Sequence, residues 1–139
     1  TLAARHASTS CGRQLARTAS QWATSGVAPA YCQAVMDDRT PGNLGVVEGA
    51  VGRALGIAAS SLVLLELRGF AAALLAAAIR LGRMSPVRAQ AVLHELRPSL
   101  IAAAEVAVTL DGDSLRTTGP HLEICTMRHR LADARMFST

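Results

Sequence analysis

The sequence contains no lysine; every one of its 14 basic residues is arginine. Arginine grips carboxylate and phosphate in two-pronged fashion and keeps its charge when half buried. The same usage can also reflect nothing more than codon bias. Aromatic residues make up only 3% of the chain. Bases stack on aromatic rings, and the arginines are dispersed instead of clustered, so the composition argues against a nucleic-acid partner. Cysteine is scarce and odd in number, at Cys11, Cys32 and Cys125, with no CxxC pair. No signal peptide is visible either, which fits a reduced, cytoplasmic setting. The most apolar region has no uncharged run long enough for a membrane: Gly69–Ile79 falls short of the ~20 residues a span needs. Glu66, Arg68 and Arg80 interrupt the rest. No membrane partner is expected.

Catalytic motifs are missing as well. There is no HExxH, GxSxG, Walker loop or GxGxxG before a helix. Asp111 and Asp113 form a carboxylate pair, but Asp-Gly-Asp is ordinary turn chemistry. His94 and Glu95 are adjacent, so on a helix their side chains diverge. Nothing assembles a nucleophile, a base and an orienting group. The expectation is a non-enzyme with no cofactor. The first residue is Thr, so the chain reads as a processed form or as a piece lacking its N-terminal part.

What is present points to helices. Half of the 139 residues are hydrophobic, and with so few aromatics the core must come from Ala, Leu, Val and Ile. Ala and Leu are strong helix formers, and strand signals are poor throughout. The fold class expected is therefore all-α: a single helical domain over residues 1–139, of about five helices. A first helix runs from Thr1 to about Gln21, with Leu2, Leu15, Ala16 and Ala19 as its apolar members and Trp22 anchoring its end. Gly26, Pro29, Pro41 and Gly42 mark residues 23–42 as a loop, with room for a short helix near Ala30 to Met36. Asn43 can cap a second helix that Gly56 ends. Ser60 or Ser61 can cap a third, Leu62 to Leu81, which is apolar almost all round and is expected to be the central buried helix. Ser85-Pro86 opens a fourth to about Leu110, kinked at Pro98, with Leu93, Leu96, Leu100 and Ile101 as its apolar stripe. Pro120 opens a last helix, about His121 to Ala132.

Small residues recur at helical spacing: Gly45, Gly49, Gly52 and Gly56 on the second helix, and Gly69, Ala73 and Ala77 on the third. Either row lets another helix approach closely, as a packed pair or a homodimer contact. The alternative is a helix simply weakened by glycine, at about 1 kcal/mol each.

Two further groupings carry chemistry. His121, Cys125 and His129 stand at i, i+4 and i+8, with successive members ~40° apart round a helix. Imidazole and thiolate suit zinc or nickel, so a helical metal-binding module is one alternative reading. In the other, Cys125 fills a core and the histidines lie at the surface. The C-terminal end gathers Arg128, His129, Arg130 and Arg135 beside Met136 and Phe137. A charged stem with an apolar tip suits docking into a partner's groove, and a solvated tail is the plain alternative.

Four stretches, in order, resemble segments of the UreF family of urease accessory proteins. They are Gly12-Arg13-Gln14-Leu15; Val46-Val47-Glu48-Gly49 through Leu55-Gly56-Ile57; Ala78-Ile79-Arg80-Leu81 followed by Arg88-Ala89-Gln90; and the ending PHLEICTMRHRLADARMF. Within that ending, Pro120, Leu122-Glu123-Ile124, Met127-Arg128-His129 and Arg135-Met136-Phe137 carry the match. Arg130 stands where the family usually has Glu, Met136 where it usually has Leu, and the family's Pro-Val-Gly-Gly and Gly-Leu-Glu motifs are missing. The resemblance implies an all-α, homodimeric, cytoplasmic scaffold without catalytic groups. It implies binding of the accessory protein UreD (also called UreH), recruitment of the GTPase UreG, and delivery of nickel to the urease apoprotein. By motif match, Arg135 is the residue expected to hold a partner, with Arg128, His129, Met136 and Phe137 behind it.

Overall fold

The structure, a computed structural model, describes residues 2–114 and 119–129. Among the described residues it is helical with no strand. The helices are α1 (Leu2–Ala19), α2 (Ala28–Met36), α3 (Leu44–Ala54), α4 (Ala59–Arg80), α5 (Pro86–Glu95), α6 (Arg97–Ala107) and α7 (Pro120–His129), with a 3₁₀ turn at Gly112–Ser114. The all-α expectation holds. The extra helices have local causes. Pro29 sits in the first turn of α2, where its missing N–H costs nothing. Pro98 divides the expected fourth helix into α5 and α6 at Leu96. The chain forms two compact units, one carrying α1–α3 and α7, the other spanning Ile57–Ser114.

In the first unit α1, α2 and α3 pack against one another. Their core is small: Ala16, Ala19, Ala23, Ala28, Cys32, Val35, Val47 and Val51, with Leu15, Tyr31, Ala50 and Ala54 packed round it. Burial raises the pKa of the Cys32 thiol. Side chains this short make a core only if backbones come close, and Gly12 permits that. A Cβ there would collide with the Gly42 carbonyl oxygen and lie 2.9 Å from the Leu44 backbone nitrogen. Gly42 itself has φ +67°, a conformation glycine adopts without penalty, and its α-carbon faces the Val35 side chain.

Three expectations are corrected at helix ends. Trp22 does not anchor α1: it is 46% exposed, and Ala23 beside it is buried instead. Asn43 precedes α3 but makes no side-chain cap; the Leu44 N–H donates to the Ser8 hydroxyl of α1 at 3.1 Å. A cap from a neighbouring helix satisfies the orphan donor as well as a local one. Neither Ser60 nor Ser61 caps α4, which begins at Ala59 with Ala58 as its uncapped N-cap. Two end signals act as read. Gly56 follows α3 at φ +72°, and Ser85 Oγ accepts from the Arg88 N–H at 3.2 Å.

In the second unit α5 and α6, consecutive across Leu96, both pack against α4. Its buried residues are only Ala89 and Ala104. The largest correction is here: α4 has no buried residue at all. A helix that is apolar all round needs neighbours on every side, and within Ile57–Ser114 only α5 and α6 pack against it. Leu65, Phe70 and Leu74 remain 59%, 57% and 50% exposed. By length and composition α4 could also cross a membrane, although Glu66 and Arg68 lie within it.

Candidate partner-binding surface

The second unit holds a half-open groove of about 350 Å³. Its apolar lining comes from half-buried Leu64 of α4, Leu93 of α5 and Leu100 of α6, and from the more exposed Ile101 of α6. Arg68, Gln90, His94 and Arg97 rim it. None of the lining residues is acidic. The nearby Glu95 carboxylate is engaged by Arg88, at 3.2 Å on the same helix.

Local sequence explains the arrangement. Gln90, Leu93, His94, Arg97, Leu100 and Ile101 follow one another at steps of three, one, three, three and one. This is a helical stripe that continues across the Pro98 break. Leu64 and Arg68 are one turn apart on α4 and face the same space. The signal was therefore present in the sequence as a stripe in which His94 and Arg97 stand between apolar members. The apolar stripe expected from Leu93, Leu96, Leu100 and Ile101 shares three members with it, and Leu96 lies outside the groove lining.

The open side of α4 is a second feature. Gly69 and Ala73 are exposed and Ala77 is half-buried. A Cβ at Gly69 would meet nothing within 4 Å. The small-residue row of α3 is similar in part. Gly49 and Gly56 also face open space, whereas Gly52 is buried. Within the chain, the close approach is made by Gly12 and Gly42, which the spacing of small residues did not single out.

In the first unit, Arg13 and Asp38 form an ion pair at 2.5 Å that ties α1 to the turn after α2. Each partner favours the other's charged form through a hydrogen bond and then through direct attraction. The Arg13 pKa is raised and the Asp38 pKa lowered. Asp38 has φ +57°, a left-handed conformation that Asp tolerates better than most residues.

The expected C-terminal binding residues divide. Arg128 lies on α7 and is exposed. His129 is the last residue of α7, and its side chain lies outside what is described, as do Arg135, Met136 and Phe137 altogether. Of the metal-type trio, His121 and Cys125 are exposed on α7, and the third member is that same His129. Among the described residues no three potential ligands gather into a site.

The UreF family profile matches residues 1–97. The chain belongs to the UreF family. The match takes in the stretches at Gly12, Val46 and Ala78 on which the resemblance rests, and it covers both the small core of the first unit and α4. The chain is 37% identical over 130 residues to the urease accessory protein UreF of Paracoccus denitrificans, covering 91% of this chain and 58% of that protein. It is 31% identical over 93 residues to the UreF of Trichodesmium erythraeum, covering 67% of this chain and 40% of that one. The UreF of Dinoroseobacter shibae is 30% identical over 94 residues, 68% of this chain and 45% of the relative. The chain thus spans about half the length of the UreF relatives it matches. No solved structure matches.

Proposed function

We propose that this chain serves as a urease accessory protein: a non-catalytic, cytoplasmic scaffold that binds UreD (UreH), recruits the GTPase UreG and modulates its GTPase step. The assembly inserts nickel, its cargo, into the urease apoprotein. The observation that carries this reading is membership of the UreF family, with 37% identity over 91% of the chain to a urease accessory protein. Two structural features support it. Large apolar side chains of α4 are left open, as a surface awaiting protein would leave them. All three cysteines are free thiols, in keeping with a reducing compartment. The two helical units act together as one UreF-like domain. The open stripes at Gly49, Gly56, Gly69 and Ala73 are the contacts of a homodimer, with Gly52 and Ala77 behind them.

Co-purification of the chain with UreD from the same source, at low salt, tests the reading. A stable complex is expected, and its absence sinks the scaffold. The C-terminal residues Arg128, His129, Arg135, Met136 and Phe137 are proposed to reach the partner. Arg135→Ala should weaken the complex by about tenfold, the scale of one charged interface contact, and lower urease activation in cells. Unchanged activation would remove Arg135 from the interface.

A further inference from the structure

The α4–α6 groove combines three properties. Its floor is apolar, its lining has no acidic residue, and two of its rim residues are arginines. Arg68 and Arg97 have no ion pair among the described residues, in contrast to Arg13, Arg39 and Arg88, each of which has a carboxylate partner. A guanidinium beside apolar surface is poised for a carboxylate that arrives with apolar neighbours. The stripe from Gln90 to Ile101 crosses from α5 into α6, and its eleven residue steps span at most about 16 Å at helical rise. That length fits a linear occupant of roughly three helical turns, with anchors at i, i+4 and i+7.

We propose that this groove receives an acidic amphipathic helix from a partner protein, its leucine-type side chains on Leu64, Leu93, Leu100 and Ile101 and its carboxylates on Arg68 and Arg97. The proposal rests on the scaffold reading in taking the occupant to be a protein. The two fail separately: co-purification with UreD does not probe the groove, and the peptide experiment below does not involve UreD.

The test is selection of a display library of random 12-residue peptides on the purified chain, with the Arg68→Glu/Arg97→Glu double variant as the counter-target. The selected peptides should share large aliphatic residues at helical spacing with Asp or Glu between them. A synthetic peptide of that consensus should bind the parent chain at least about tenfold more tightly than the double variant, the scale of losing a charged hydrogen-bonded contact. Circular dichroism checks that the variant remains helical. Replacing the peptide's acids by lysine should restore binding to the double variant, a gain that a misfolded protein would not show. A neutral or basic consensus overturns the proposal, and so does an affinity indifferent to charge reversal. Competition by citrate alone would make the groove a general anion site, and competition by phosphatidylserine-containing vesicles would make it a membrane contact; either outcome also overturns it.

Discussion

The two units are built from similar residues and bury them very differently. In the first, Ala, Val and Cys side chains reach complete burial because Gly12 lets the Gly42–Leu44 backbone lie against α1. In the second, α4 is richer in leucine than any helix of the first unit, yet it buries none of its residues. Apolar content measures how much surface a helix could bury. Whether it does depends on how many neighbours come near and how close their backbones can get. The first unit spends its hydrophobicity on its own fold, and the second presents it outward.

The substitution that strikes this contrast hardest is Gly12→Val. The added side chain would meet backbone atoms of residues 42–44, which cannot swing aside as a flexible side chain would. Overpacking of this kind costs about 3 kcal/mol. Urea unfolding followed by circular dichroism should show the loss, and a variant as stable as the parent would mean that the backbone of residues 42–44 does not rest against Gly12. The same change at Gly69, where nothing stands within 4 Å, should leave the folding of the isolated chain within about 0.5 kcal/mol of the parent. If Gly69 faces a second copy, it should abolish the dimer in light scattering.

The next comparison sets Val47→Ala against Leu74→Ala. Val47 is fully buried, and truncating it should cost about 2 kcal/mol through lost transfer energy and the cavity left behind. Leu74 is the larger side chain but is half exposed, so its truncation should cost well under 1 kcal/mol of folding stability. Equal losses in urea titration would contradict the division between an inward-facing and an outward-facing unit.

These pairs also show what could be read in the sequence. Helix class, the Ser85 cap, the Gly56 stop and the Pro98 break are local events, set by residues within a turn of one another, and sequence reports such events directly. The burial of α4 was not legible, because an apolar helix reads the same whether its neighbours are present or not. The cap on α3 was not legible either: Ser8 lies thirty-six positions from Leu44, and Asn43 offers the better local signal. The groove was half legible, as a stripe from Gln90 to Ile101 whose partner, α4, is found only by folding.

Ser8 gives a prediction of intermediate size. Removing its hydroxyl orphans the Leu44 N–H at the start of α3, and lost helix caps cost about 1 kcal/mol. Ser8→Ala should therefore lower stability by that amount, whereas Asn43→Ala, with no cap bond to lose, should cost less. The reverse order in a thermal melt would restore Asn43 as the cap.

The smallest effect is electrostatic and separates long-range from local anchoring. Asp38 is held by Arg13 across twenty-five positions, whereas Asp111 in the second unit accepts hydrogen bonds from the Ser114 hydroxyl and N–H only three residues on. Both carboxyls have lowered pKa values, Asp38 through Arg13 and Asp111 chiefly through Ser114. A carboxyl depressed in the folded state adds stability above its unfolded pKa, about 3.9, and loses it as pH falls through the lower folded value. Both pairs are exposed, so the contribution is modest and screened by salt. Asp38→Asn keeps a residue tolerant of φ +57° and removes only the charge. It should be slightly less stable than the parent near neutral pH, and the difference should vanish in strong acid and in high salt. Asp38→Ala adds backbone strain to the lost charge, so its deficit should persist in acid. An Asp38→Asn variant that stays less stable at every pH and salt concentration would show that Asp38 acts through its shape and not through its charge on Arg13.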